Sequence, residues 1–198
     1  MKCNWFEYFL IALLSFGVFA TNVNATNTHP PQTLVRITTS LGNIDLELNA
    51  GKAPITVKNF LSYVDEGSYN GTIFHRVMKG FMIQGGGYDK NLLPRKKRKP
   101  IYNEADNGLK NTIGTISMAR TNEPHSASNQ FFVNTADNAT LDHQSKAPGD
   151  WGYAAFGHVI GGLDVVKAIE STTTRSYGPF QNLPAKPVMI LKISRIKP

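Results

Sequence analysis

Cysteine is almost absent from this sequence. Among 198 residues only Cys3 carries a thiol, so no intramolecular disulfide can form and a disulfide-stapled secreted scaffold is excluded. Long apolar runs are missing as well. The apolar stretch from Phe9 to Ala20, which carries no charge, falls short of the about 20 apolar residues that a membrane span needs, and the composition excludes a polytopic membrane protein. Charge is modest at 18%, and a hydrophobic share of 41% is ordinary for a globular chain, so a disordered or collagen-like protein is excluded too. Several catalytic signatures are also lacking. Gly85-Gly86-Gly87 has neither the spacing nor the following helix of a phosphate loop. The five histidines (29, 75, 125, 143 and 158) show no H-x-x-x-H pair and no cysteine partner, so a zinc site is not expected. There is no G-x-S-x-G, and Cys3 falls in the segment read below as a leader, so no cysteine nucleophile is expected. Asp142-His143 reads as a polar loop pair and not as acid–base machinery.

What is present points to a single turn-rich domain. Seventeen Gly and eleven Pro favour many short elements over a helical bundle, and the length suits one compact unit. Residues 1–25 read as a secretory signal peptide: an apolar region from Phe9 to Ala20, then Val23-Asn24-Ala25 as the cleavage signal, with Val18-Phe19-Ala20 as a second one. Lys2 is its only positive charge and Glu7 offsets it, so an uncleaved N-terminal anchor is the alternative. Residues 26–33 form a short polar linker, and 34–198 the domain. Leu34–Thr39 is rich in β-forming residues, Ser40–Asn43 supplies a turn, and Ile44–Leu48 alternates apolar and acidic residues, as a hairpin with one buried face does. Pro54 opens a helix whose Val57, Phe60, Leu61 and Val64 recur at helical spacing, and Gly67 closes it. Short apolar runs follow at 73–78, 81–84, 113–119, 130–133 and 154–160. A second short helix spans 163–170, and Val188–Ile196 ends the chain with a strand. Many short strands with two separated helices predict a β-barrel or sandwich with helices over its open ends.

Three segments carry the chemical information. The first is Phe74-His75-Arg76-Val77 followed by Phe81-Met82-Ile83-Gln84-Gly85-Gly86. An arginine in an apolar strand is costly to bury unless something engages its guanidinium, and no acidic residue lies between Tyr69 and Tyr88. A distant carboxylate folded back onto it is the bland alternative. Strand alternation places Phe74 and Arg76 on one face and His75 on the other. The second segment is Gly114-Thr115-Ile116-Ser117-Met118-Ala119-Arg120, and the third is Ser128-Asn129-Gln130-Phe131-Phe132-Val133-Asn134. One of Phe131 and Phe132 is expected in the core and the other outside, and the spacing does not say which.

Together these segments resemble the cyclophilin family of peptidyl-prolyl cis–trans isomerases, in the family's order and spacing. Ala155-Phe156-Gly157-His158-Val159 and Gly162-Leu163-Asp164-Val165-Val166 match its closing segments, and Asn103–Leu109 with Met118–Thr121 looks like its exported bacterial branch. The resemblance runs from Leu34 to Ile196. It implies a mainly β fold, a closed eight-stranded antiparallel barrel capped by two α-helices. It also implies rotation about X-Pro bonds in proline-containing peptides and unfolded exported proteins. Arg76 matches the family's catalytic arginine and Gln84 its glutamine that binds the substrate backbone. Phe81, Met82, Phe132 and Leu141 match its proline pocket, and Ala119, Arg120, Thr121 and Gln130 the rest of its groove. Tyr153 stands where many members carry histidine. Thr140 stands where many carry the tryptophan that contacts cyclosporin, so cyclosporin binding is expected to be weak; whether Trp151, in a lengthened stretch, replaces that contact is left open.

The chemistry this implies needs no nucleophile, metal or cofactor. Rotation about a peptide bond is opposed by about 18–20 kcal/mol because the nitrogen lone pair is delocalised into the carbonyl. A guanidinium hydrogen bond to the prolyl nitrogen favours the twisted form, where that pair is localised. The alternative is a module that docks proline peptides without physiological turnover. Arg95-Lys96-Lys97-Arg98-Lys99 reads as a solvated loop with weak attraction to polyanions, and no specific nucleic-acid partner is expected. The leader and the bacterial resemblance point to the periplasm, or to membrane attachment if the leader stays on.

Overall fold

Alternation of apolar and polar residues builds the first hairpin. In β1 (Thr33–Thr39) Val35 and Ile37 are buried, and in β2 (Gly42–Leu48) Ile44, Leu46 and Leu48. Residues two apart share a face, so one face of the hairpin goes wholly to the core. This computed structural model describes residues 33–196 together with Met1. The expected signal peptide, its cleavage points and the linker up to residue 32 lie outside the described residues. The remaining barrel strands are β3 (Thr72–Met78), β4 (Met82–Asp89), β5 (Thr115–Met118), β6 (Phe131–Asn134), β7 (Ala155–Gly161) and β10 (Val188–Ile196). They close with β1 and β2 in the order β1-β10-β3-β4-β6-β5-β7-β2, all pairs antiparallel. The implied eight-stranded barrel is therefore the fold, and closure leaves no free barrel edge.

The two helices both pack into the barrel core. Helix α1 (Pro54–Asp65) sends Val57, Phe60, Leu61 and Val64 into the core, where Phe60 sits 5.2–5.5 Å from the rings of Tyr69, Phe131 and Phe156. Helix α2 (Leu163–Glu170) inserts Val166 and Ile169. Gly67 ends α1 in the left-handed region, at φ +67°.

The start of α1 has no capping side chain of its own. Glu104, far along the chain, supplies one: its carboxylate accepts from Ile55 N, Thr56 N and Thr56 Oγ1 at 3.0, 2.8 and 2.7 Å. A carboxylate at a helix N-terminus satisfies orphan N–H groups and opposes the helix dipole. Glu104→Ala is expected to cost about 2 kcal/mol, read as a lowered urea midpoint at unchanged m-value.

Two features depart from the sequence expectation. Between Glu170 and Val188, where the sequence shows no periodic apolar run, a further hairpin forms from β8 (Thr174–Tyr177) and β9 (Phe180–Pro184) and packs on β3. Most of its side chains stay exposed or half-buried, so it carries no burial pattern to read. The second departure lies in β3. Phe74 opposes Gly85 and Arg76 opposes Gln84, so two steps on β3 match one step on β4. This bulge breaks the alternation. Phe74 and Val77 both join the core, while His75 and Arg76 together line one cavity on the outside. The expected shared face of Phe74 and Arg76, with His75 opposite, is thereby overturned.

Candidate active site

One row of side chains crosses four adjacent strands on the barrel's outer surface. Arg76 on β3 opposes Gln84 on β4, Gln84 opposes Phe132 on β6, and Phe132 opposes Ser117 on β5. The adjacent aromatics divide as strand geometry requires. Phe131 enters the core, and Phe132 faces outward against the edge of Tyr153, with ring centroids 5.7 Å apart. Beneath the row, Gly86 lets the backbones close up: its φ is +85°, and a Cβ there would lie 2.8 Å from the Tyr69 ring.

Arg76 is half-buried, and among the described residues no carboxylate pairs with it. Its one hydrogen bond is long, from Nη1 to Gln84 Oε1 at 3.4 Å. Gln84 in turn donates from Nε2 to Gln130 Oε1 at 2.8 Å, which fixes its amide. The guanidinium therefore keeps most of its donors for a ligand.

The apolar side of the groove is tied together through main chain. Met82 is buried, and the Phe81 carbonyl accepts from Thr135 N and Asn138 Nδ2, each at 2.9 Å. Asn138 leads into the turn Ala139–Leu141, and the Leu141 carbonyl accepts from Tyr153 N at 2.8 Å. Farther along, Ala119 N donates to Gln130 O at 3.0 Å. Arg120 is not free: Nε donates to Gly152 O at 2.8 Å, and the guanidinium lies over the Tyr153 ring at 4.6 Å. Thr121 is exposed at the rim, where its N and Oγ1 both bond Ser126 Oγ. The structure thus brings ten of the eleven expected residues into one connected surface, with Thr121 at its edge.

Two groups of residues escape sequence reading. The first is a buried polar network behind the groove. Asn111 Nδ2 donates to Asp142 Oδ1, Leu141 O and Tyr153 O, while Asn111 Oδ1 accepts from Ser117 Oγ and Asn134 Nδ2. Asn138 joins it through Asn134 Oδ1 at 2.7 Å. In sequence these are polar residues of loops and strand ends, indistinguishable from solvated ones. Asp142 and His143 have unrelated partners, Asn111 and the Trp151 carbonyl, so they form no acid–base pair. Trp151 is buried among Tyr102, His125 and His143 and donates to Asn103 O, so its ring packs inside the loop region.

The second is His75, brought beside Arg76 by the bulge. It is 5% exposed, its ring meets Tyr88 edge-on, and its Nδ1 has no hydrogen-bond partner. Burial pushes its pKa down to about 4, the Arg76 charge acts the same way, and Gln130 opposes the shift. The unfolded chain then binds the extra proton first. His75's contribution to stability is present above about pH 6.5 and is lost as the pH falls towards about 4, by at most about 3 kcal/mol. His75→Phe is expected to flatten that part of the stability–pH curve in denaturant titrations; an unchanged slope refutes it.

In the basic run, Arg95 donates to Asn70 O, and Arg98 pairs with Glu66 beside the Tyr63 ring. Lys96, Lys97 and Lys99 remain exposed.

The chain was compared with known proteins. The profile of the cyclophilin type peptidyl-prolyl cis-trans isomerase/CLD family matches residues 34–195. Peptidyl-prolyl cis-trans isomerase A of Dickeya dadantii is 50% identical over 188 residues, covering 95% of each chain. A peptidyl-prolyl cis-trans isomerase of Streptomyces antibioticus is 55% identical over 156 residues, covering 79% of this chain and 94% of its own. Among solved structures, a Cryptosporidium parvum cyclophilin type isomerase crystallised in the presence of the dipeptide Ala-Pro matches with a TM-score of 0.65 at 28% identity. That match covers 83% of this chain and 99% of the other.

Proposed function

The chain belongs to the cyclophilin-type peptidyl-prolyl cis–trans isomerase family, and from that premise we propose that it acts through Arg76 on X-Pro bonds of exported proteins during their folding. It is a peptidyl-prolyl cis–trans isomerase. The observation that carries the assignment of Arg76 is an unpaired guanidinium held beside an apolar seat by Gln84.

The geometry suits rotation without covalent chemistry. The proline ring sits on Phe132 and Met82, between Phe81 and Leu141, while Gln84 holds the substrate backbone. Arg76 then donates to the prolyl nitrogen as that nitrogen becomes pyramidal. This hydrogen bond is strong only in the twisted state, so it lowers the barrier and does not merely tighten binding. Ala119, Gln130 and Tyr153 line the groove beyond, and Arg120 holds Tyr153 in place.

Uncatalysed isomerisation takes about 10–100 s, long enough to limit the folding of a newly exported chain. The composition of residues 1–25 supports export and a periplasmic location. Two expected results test this. N-terminal sequencing of the protein from a periplasmic fraction gives Thr26, and refolding of a proline-limited exported client speeds up with the protein but not with Arg76→Ala. An N-terminus at Met1 in the membrane fraction refutes the cleaved leader; equal acceleration by the variant refutes the folding role of the site. Weak contact with polyanions falls to Lys96, Lys97 and Lys99, and weak cyclosporin binding follows from Thr140.

A further inference from the structure

A cavity of about 350 Å³ opens beside Arg76, and Phe132 is not part of its lining. Arg76 and Gln130 border both it and the groove. Its other walls are His75, Tyr88 and the β8–β9 hairpin with Phe180 and Gln181. The hairpin has no role in closing the barrel, yet it holds Phe180 edge-on to Tyr88, with centroids 4.9 Å apart. The lining is aromatic with polar rims and includes no carboxylate. His75 faces it as a neutral ring at neutral pH, with an unpartnered buried nitrogen.

Strands lie about 4.8 Å apart, and an extended peptide rises about 3.3 Å per residue. Two strand steps separate Phe132 from Arg76. A peptide whose proline sits on Phe132 and which crosses Arg76 therefore reaches the cavity about three residues from that proline. We propose that the cavity is a substrate side-chain subsite that takes an aromatic residue at that distance, with Phe180 as its specificity-determining wall. This inference rests on the reading of Arg76 and Phe132 as the isomerase site. An aromatic side chain fits because edge-to-face packing on Phe180 and Tyr88 removes apolar surface from water without stranding a charge. Amide groups of Gln130 and Gln181 remain at the rim for main-chain or hydroxyl contacts.

The test uses X-Pro peptides carrying Phe, Ala or Glu at each position two to four residues to either side of proline. Turnover is followed by NMR exchange and binding by titration, with the full chain and with Phe180→Ala, Gln181→Ala and Arg76→Ala. The expected result is a preference for Phe over Ala of about tenfold in kcat/KM at one position, expressed in KM. Phe180→Ala brings that ratio to about one with the thermal midpoint retained. If Phe180→Ala does not fold, Phe180→Leu serves in its place and is expected to lower the ratio part-way. Arg76→Ala is expected to lower turnover on every peptide while the binding preference for Phe persists. No preference at any position, a preference for Glu, or a ratio untouched by both Phe180 variants overturns the subsite. Turnover that survives in Arg76→Ala overturns the catalytic assignment instead, and the two failures are read from different columns of the same data.

Discussion

Arg76→Ala is expected to lower kcat/KM on a short X-Pro peptide by roughly 100- to 1,000-fold, the usual loss when a preorganised donor to a transition-state charge is removed. The fall should appear in kcat more than in KM, because the ground-state amide nitrogen is a poor acceptor and gains a lone pair only on twisting. Stability should change little. Arg76 is half-buried, its hydrogen bond to Gln84 is 3.4 Å long, and no buried carboxylate is left unpaired by its loss. Arg76→Lys tests the same point more finely. A lysine keeps the charge but loses the planar fork, so recovery should be small. Steady-state turnover with melting curves on the same samples decides the matter. A variant that loses turnover only by unfolding does not fit.

Asn111→Ala is the second large effect. Asn111 is 1% exposed, and its side chain serves five partners at once: Asp142, Leu141, Tyr153, Ser117 and Asn134. Its removal leaves the buried Ser117 hydroxyl without its acceptor and the Tyr153 carbonyl without its amide donor, and it takes the side-chain donor from the Leu141 carbonyl and the Asp142 carboxylate, which keep the Tyr153 and Asn111 main-chain N–H groups. Each unsatisfied buried polar group costs about 1–3 kcal/mol, so a loss of about 3–5 kcal/mol is expected. For a chain of this size that is a fall of roughly 10 °C in Tm. Activity should suffer as well, since Leu141 and Tyr153 are held at the groove by this network, and the deficit should appear chiefly in KM. A Tm within 2 °C of the parent (about 0.5–1 kcal/mol by the same scale) would show that the network is not what fixes these residues.

How much could be read from sequence follows from which residues obey a period. Strands β1 and β2 alternate cleanly, and α1 shows its apolar stripe, so their faces were legible. The motif-bearing residues of the groove were legible as well, because FHRV, FMIQGG and NQFFVN keep their order and spacing. Elements that obey no local period were not. The bulge at His75 depends on how β3 registers with β4, a pairing of residues distant in sequence. Glu104 caps a helix that begins about fifty residues before it, and the Asn111 network joins four separate segments. Hairpin β8–β9 buries little and so leaves no apolar signal. These are contacts of tertiary structure, set by closure of the barrel and invisible to a window of neighbouring residues.

The central claim is that the groove around Arg76 turns X-Pro bonds and does not merely hold them. The direct measurement is two-dimensional NMR exchange between the cis and trans signals of an X-Pro peptide at equilibrium, with catalytic amounts of the purified chain. The account predicts cross-peaks within a mixing time of a second or less, where uncatalysed exchange takes about 10–100 s. Peptide signals that shift on binding but show no exchange would contradict it and leave the groove as a docking surface.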